Sequence, residues 1–410
     1  MRILILSPYY APDLGPSAPL FTMLSEELVR RGHQVCVVAA VPHYPTGKVQ
    51  PQFRGRWMHK SIEHGVNIIR VAVPSLNRAN LTMRCLQFLC FQVGAARASF
   101  FHRYDIAVIT SPALETFFPF TCQAVIRRVP VILAVFDVYP DVGIKLGIFR
   151  NKTMLKIITF FECFCLHHSA AIQIISESFR PALAAHGVPP EKIHLVELWV
   201  DTTLIKPLPR SNPFSQEHNL EAKFVVLYAG NIGLSQGLEN VLEAARLLIT
   251  QDQVEFVFVG DGTGRKTLQS LAEQYHLPNV LFIPFQPRER LPEVLASANA
   301  SLVVLRHGIG VASLPSKTLS ILASGRPIIA SVDGKSETWK LVERTKAGLC
   351  VPPDDPGVIA EAILALKSNP MLCEQFGING RAWAEAHHSP QNAARQFERL
   401  MFNSIHSVQS

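Results

Sequence analysis

Short apolar runs alternate with amphipathic segments along almost the whole chain, and that alternation restricts the fold more than any single motif. In the first half the runs are 3–6, 35–40, 68–73, 106–110, 131–136 and 171–175; in the second they are 224–229, 256–259, 280–283, 301–305 and 327–331. Runs of four to six apolar residues, too short for helices, read as strands buried on both faces. Segments 21–31, 238–250 and 267–275 carry the helical period between them. Strand, helix, strand in series gives parallel sheets with helices on both sides, so the expected class is α/β and doubly wound.

The alternation stops once. Residues 206–222 are rich in Pro, Ser and Asn and poor in periodic apolar positions, which suits a linker. A chain of 410 residues also exceeds the size at which one core keeps growing. Two Rossmann-like domains are therefore expected, 1–205 and 206–388, facing across a cleft, with a terminal helix over 389–410 packing back on the first. Ligands of such domains sit at the carboxyl ends of the strands. The same outline serves a hinged oxidoreductase or a periplasmic-type binding protein, so fold alone does not give function.

Composition removes other classes. Apolar residues make up 48% and charged residues 17%, which excludes a disordered chain. The run at 3–6 is too short for a signal-peptide core, so a cytoplasmic location is expected. The eight cysteines form no C-x-x-C pair and read as free thiols, with no zinc-ligand spacing. The net charge of +7 sits in one place: residues 48–103 hold nine basic residues (Lys48, Arg54, Arg56, Lys60, Arg70, Arg78, Arg84, Arg97, Arg103) and one acid, Glu63. Phe53, Trp57, Phe88, Phe91, Phe100 and Phe101 are interleaved with them. This mixture suits an anionic membrane surface; no RNA-binding signature accompanies it, so nucleic acid is not expected. Residues 81–101 approach a transmembrane span but are interrupted by Arg84, Gln87, Gln92 and Arg97, which favours surface attachment.

Several loops after strands carry candidate chemistry. After the first, residues 7–17 lack the dinucleotide fingerprint, but Gly15 and Pro16 precede a helix whose N-terminus favours an anion. In the second half, Gly230, Asn231 and Gly233 lie between a strand and a helix and are placed to offer backbone N–H groups to a phosphate. Gly260, Asp261 and Gly262 end the next strand, with Arg265 directed at phosphate or at solvent. Ser316 and Lys317 open a helix that stops at Gly325. A lysine there opposes the helix dipole unless an anion is bound. Ser336 and Glu337 start another helix, and Glu337 either caps it or holds a sugar hydroxyl pair.

Taken together these residues resemble glycosyltransferase family 4, and within it the branch that builds bacterial surface polysaccharides such as colanic acid and O-antigens. The resemblance rests on 12–15, the Arg31-Gly-His33 helix end, 42–47, 136–141, 187–193, Gly230-Asn-Ile-Gly with Gln236-Gly237, and Pro315-Ser-Lys317. It implies the two-domain GT-B fold and retaining transfer from a nucleoside-diphosphate sugar, a UDP-sugar by family frequency, without bound metal or cofactor. The second domain would hold the donor. The first would hold a lipid-linked or saccharide acceptor through Gly15, Pro16, His43 and Tyr44, at the inner face of the cell membrane. Two departures stand out. Asn231 and Gln236 replace the Arg and Lys that many relatives direct at the diphosphate, and Ser320 stands where a second glutamate is common. More weight falls on Lys317, with Arg306 or Arg265 as additional cations. Asp137 occupies the place of a histidine thought to assist transfer, and is the expected base, with Asp141 second and His43 third. A nucleotide-sugar epimerase and a non-catalytic nucleotide-sugar binder remain as alternatives.

Overall fold

The computed structural model describes the chain except for Leu14, Pro16, Pro45, 77–80, 138–151, Asp252, 310–314 and Ser410. It divides into two units: Met1–Leu198 with Pro390–Ser410, and Trp199–Ser389.

The first unit is built on an eight-stranded sheet of order β3-β4-β2-β1-β5-β6-β7-β8. Its strands are β1 Arg2–Leu6, β2 Gln34–Ala40, β3 Met58–Glu63, β4 Val66–Val71, β5 Ile106–Thr110, β6 Val131–Val135, β7 Ala171–Ile174 and β8 Ile193–Leu195. Every pairing is parallel except β3 with β4. The central strands are buried except for Arg2 at the start of β1, as continuous apolar runs require. Helices Ala18–Arg30 and Pro390–Gln409 pack together, and Arg31 and His33 both bond the Glu398 carboxylate. Helices Leu81–Phe100, Ala113–Thr121 and Lys152–His168 pack side by side as a second layer.

The second unit carries a six-stranded parallel sheet of order β11-β10-β9-β12-β13-β14. These strands are β9 Phe224–Ala229, β10 Val254–Val259, β11 Val280–Ile283, β12 Ala300–Val304, β13 Ile328–Ser331 and β14 Gly348–Val351. Relabelled from its own start, the order is 3-2-1-4-5-6, the dinucleotide-binding winding, with the switch point between β9 and β12. Its core packs Tyr228, Phe256 and Phe258 with Leu242 and Ile363.

Three strands were not expected from the sequence. β3 alternates exposed and half-buried residues, and β8 and β14 are only three and four residues long. The expected linker also holds structure. Asn212 accepts from the N–H groups of Phe214 and Ser215 and caps the helix Pro213–Glu217.

Candidate functional site

In the second unit the loops after β9 and β12 flank the switch point. The helix Ser316–Ser324 starts directly after Pro315 with no side-chain cap and ends on Gly325 in the left-handed region. Lys317, in its first turn, turns its side chain inward. Nζ stands 3.7 Å from the centre of the Tyr228 ring and is buried with no hydrogen-bond partner among the described residues. Burial pushes its pKa down to about 7. Tyr228, the fifth residue of β9, is itself fixed by donating its hydroxyl to the Asn231 carbonyl at 2.6 Å. Gly230 has φ 141°, and a Cβ built there would come within 3.3 Å of Lys317 Nζ. The absent side chain leaves room for the ammonium. The ammonium, with no hydrogen-bond partner among the described residues, thus lies in the first turn of a helix whose N-terminus has no side-chain cap, an arrangement with the electrostatics to favour an anion.

The glycine loops also pack on each other. Gly230 N–H donates to Val259, Ile232 N–H to Asp261 and Gly264 N–H to Ile232, so the loop after β9 and the loop after β10 are laced together. Gly233 N–H is taken by the Gln236 side chain at 3.0 Å. Of the amides from Gly230 to Gly233, the N–H of Asn231 alone donates to no described residue. A Cβ at Gly260 would lie 1.9 Å from the Gly230 carbonyl, and one at Gly262 would lie 2.3 Å from that of Ile232. A side chain at either glycine would collide with the neighbouring loop. Asp261 is exposed and accepts from Gly262 N–H.

The two extra cations proposed from the sequence are engaged elsewhere. Arg265 is half-buried and donates to the Gly260 carbonyl at 2.5 Å. Arg306 donates to the Leu234 carbonyl at 2.6 Å and pairs with Glu239, which holds the 3₁₀ turn Leu234–Gln236 in place. Ser316 is exposed at the helix start. Ser336 is fully buried and caps the helix Glu337–Thr345 by accepting from Trp339 N–H at 3.1 Å. Glu337 pairs with Lys340 at 3.0 Å.

In the first unit the loops after β1 and β2 are joined by Asp13, a buried carboxylate that the sequence reading gave no role. One oxygen accepts from Gly15 N–H at 3.0 Å in an Asx turn, and the other accepts from His43 N–H at 2.9 Å. Gly15 packs on Tyr9, where a Cβ would collide with the ring, and Tyr9 stacks on His43 and meets Tyr44 edge-on. Gly15, His43 and Tyr44 thus meet in one cluster around Tyr9. His43 Nδ1 bonds the Val41 carbonyl at 2.8 Å, which places the acceptor lone pair on Nε2. Asp137 follows β6; it is exposed as a residue, yet the surrounding chain desolvates its carboxyl and raises its pKa. Asp141 and Pro16 lie outside the described residues. Among the described residues no group of His, Cys, Asp and Glu is arranged to hold a metal ion.

Known proteins match at the level of both sequence and fold. The model for "Glycosyl transferase 4-like domain" matches residues 17–199, and that for "Glycosyl transferases group 1" matches residues 211–383. The chain belongs to the GT-B glycosyltransferases. A glycosyltransferase named for colanic acid biosynthesis, WcaI of Escherichia coli K12, is 28% identical over 97% of this chain and 98% of its own. WbjE, a glycosyltransferase of Pseudomonas aeruginosa, is 25% identical over 71% of this chain and 73% of its own. Among solved structures, HepE of Anabaena in complex with UDP superposes with a TM-score of 0.72 at 16% identity, covering 98% of this chain and all of its own. Sucrose-phosphate synthase of Thermosynechococcus elongatus gives 0.72 at 18% identity, covering 99% of each chain. This GT-B enzyme thus carries a buried lysine beside the switch point of its second unit, with Asn231 and Gln236 as the polar side chains of the glycine loop.

Proposed function

We propose that this glycosyltransferase transfers a sugar, with retention of configuration, from a UDP-sugar to a lipid-linked or saccharide acceptor during synthesis of a surface polysaccharide. The observation that carries the donor half is the buried, unpaired ammonium of Lys317. A nucleoside diphosphate whose phosphates reach Nζ and the first turn of the Ser316–Ser324 helix would satisfy both at once. As the bond to the departing diphosphate breaks, negative charge grows on its oxygens, and a positioned cation stabilises that charge more than it does the bound donor. Glu337 is the proposed sugar-side contact, at the start of the helix that Ser336 caps. Asp137 is the proposed acceptor of the hydroxyl proton, and the Gly15, His43 and Tyr44 cluster the proposed acceptor site. No metal is assigned a step.

The acceptor class rests on relatives named for colanic acid biosynthesis, and UDP on fold neighbours solved with UDP or UDP-glucose. With a membrane-bound acceptor, the enzyme would work from the cytoplasmic face of the membrane. The test incubates the protein with UDP-, GDP- and dTDP-sugars, with and without a polyprenyl-diphosphate acceptor. Acceptor-dependent transfer from a UDP-sugar is expected. Acceptor-independent isomerisation would make it an epimerase, and binding without turnover a sugar-nucleotide binder.

A further inference from the structure

We propose that the outer face of the three-helix layer in the first unit is a lipid-inserting surface, seated on an anionic leaflet. This rests on the membrane-acceptor reading above but changes which residues make the contact. The nine-cation segment 48–103 is not one surface. Arg70 is buried and paired with Glu63, and Phe91 is buried in the core. The exposed apolar area instead runs across three helices that the sequence separates.

The helix Leu81–Phe100 is apolar on two sides. Gln87, Phe91, Ala95 and Ala98 lie buried on its inner stripe, while Leu86, Leu89 and Val93 (56% exposed) form an outer one. Next to it stands Phe118 of Ala113–Thr121, followed by Ile126 (66% exposed), and then Phe160 of Lys152–His168 (60% exposed). The layer is rigid. Gln92 inserts its amide between Leu114 C=O and Phe118 N–H, at 3.0 Å each, joining the first two helices. Phe117 stacks on Phe161 at 4.2 Å to join the second and third. Apolar side chains at this spacing, held outward on a fixed slab, make the kind of contiguous patch that marks an interaction site.

Charge selects the occupant. Leu81–Phe100 contains no carboxylate, and the other two helices contain only Glu115 and the buried Glu162. Arg84, Arg97, Arg128 and Lys156 surround the patch, and no ion pair engages them among the described residues. An anionic lipid surface complements this combination. A second copy of the chain would set the same cations against each other. No described helix is long and apolar enough to cross the bilayer, which leaves insertion from one side.

The test is co-sedimentation of the full chain with vesicles of phosphatidylglycerol and phosphatidylcholine, against phosphatidylcholine alone. Wild type is expected to bind the anionic vesicles, and Ile126→Ser with Phe160→Ser to weaken that binding roughly tenfold or more. Arg84→Glu with Arg97→Glu should weaken it as well. Donor binding by both variants, read by thermal shift, verifies folding. If the serine pair binds as wild type does while the charge reversal does not, the apolar face is overturned and the membrane reading survives. If wild type binds neither vesicle and sediments as a dimer that the serine pair breaks, the face belongs to a second copy and the proposal falls. Transfer to the lipid-linked acceptor in detergent reports on the enzyme assignment independently of either result.

Discussion

Lys317 is held in a state that costs stability when nothing is bound. Its pKa is down to about 7 in the folded chain, against an ordinary value of 10.5. Below pH 7 the ammonium is buried charged, and that cost is relieved as pH rises from 7 towards 10.5, where the unfolded chain still holds the proton. A bound diphosphate favours the charged form and restores the higher value. Donor binding at pH 8 should therefore take up close to one proton, and affinity should fall as pH rises above 7. Calorimetry in two buffers of different ionisation enthalpy measures the uptake. Lys317→Met should abolish it and weaken donor binding by about 1.5–3 kcal/mol, while stabilising the unliganded protein by about 1–3 kcal/mol. Asp137 gives the complementary expectation. Asp137→Asn should lower kcat by about 10²–10⁴ with donor affinity intact, since a base acts on transfer and not on binding. Because its carboxyl titrates above the ordinary range, the acid limb of the wild-type rate profile should also lie above it. Much of this was legible in the sequence. A lysine in the first turn of a helix is out of place unless something anionic is near, and that conflict pointed to Lys317. The roles of Tyr228 and Asp13 were not legible, because each depends on what the loop beyond brings to it. Nor could the sequence show that Arg265 and Arg306 are spent on carbonyls and Glu239.

Elements whose residues are apolar on both faces were the readable ones. β5 and β9 run over the residues expected of them, because a strand enclosed by helices needs no alternation. β3 was hidden for the opposite reason: at the sheet's edge, only every second residue meets protein. The contact between the two glycine loops was not legible, since close approach of two backbones and close approach of a ligand make the same demand on a residue. Another element carries a pH dependence that no pattern foretells. Glu162 lies buried against the start of Ala113–Thr121, with its Oε1 accepting from Ala113 N–H at 2.7 Å, and burial raises its pKa to about 8. The folded state keeps a proton that the unfolded chain releases above its ordinary value of 4.5. The contribution of Glu162 to the stability of the first unit should thus be fully present below about pH 4.5 and decline as pH rises to about 8. Glu162→Gln preserves an acceptor for Ala113 and should remove that decline, measured as chemical denaturation midpoints across the interval.

At the scale of the whole molecule, the two units differ in how they are drawn from the chain. Trp199–Ser389 is continuous, whereas the first unit needs Pro390–Ser410 to be complete. Phe397 and Met401 of that last helix are fully buried, and Glu398 receives both Arg31 and His33. A fragment of residues 199–389 is therefore expected to fold cooperatively and bind the nucleotide through Lys317. A fragment of residues 1–198 should unfold without a cooperative transition until 390–410 is supplied. Circular dichroism melts of the two fragments decide this.

That discontinuity also sets an order of events during synthesis. When Leu198 leaves the ribosome, the ground of the first unit for its last helix is still bare, and the residues that cover it lie about two hundred positions ahead. At about 5–20 residues per second, the wait is about 10–40 s. The second unit emerges meanwhile and can close on itself. The half made first is thus finished last, and throughout the interval its nascent surface is open to chaperones, to other chains and to any lipid its cationic helices reach.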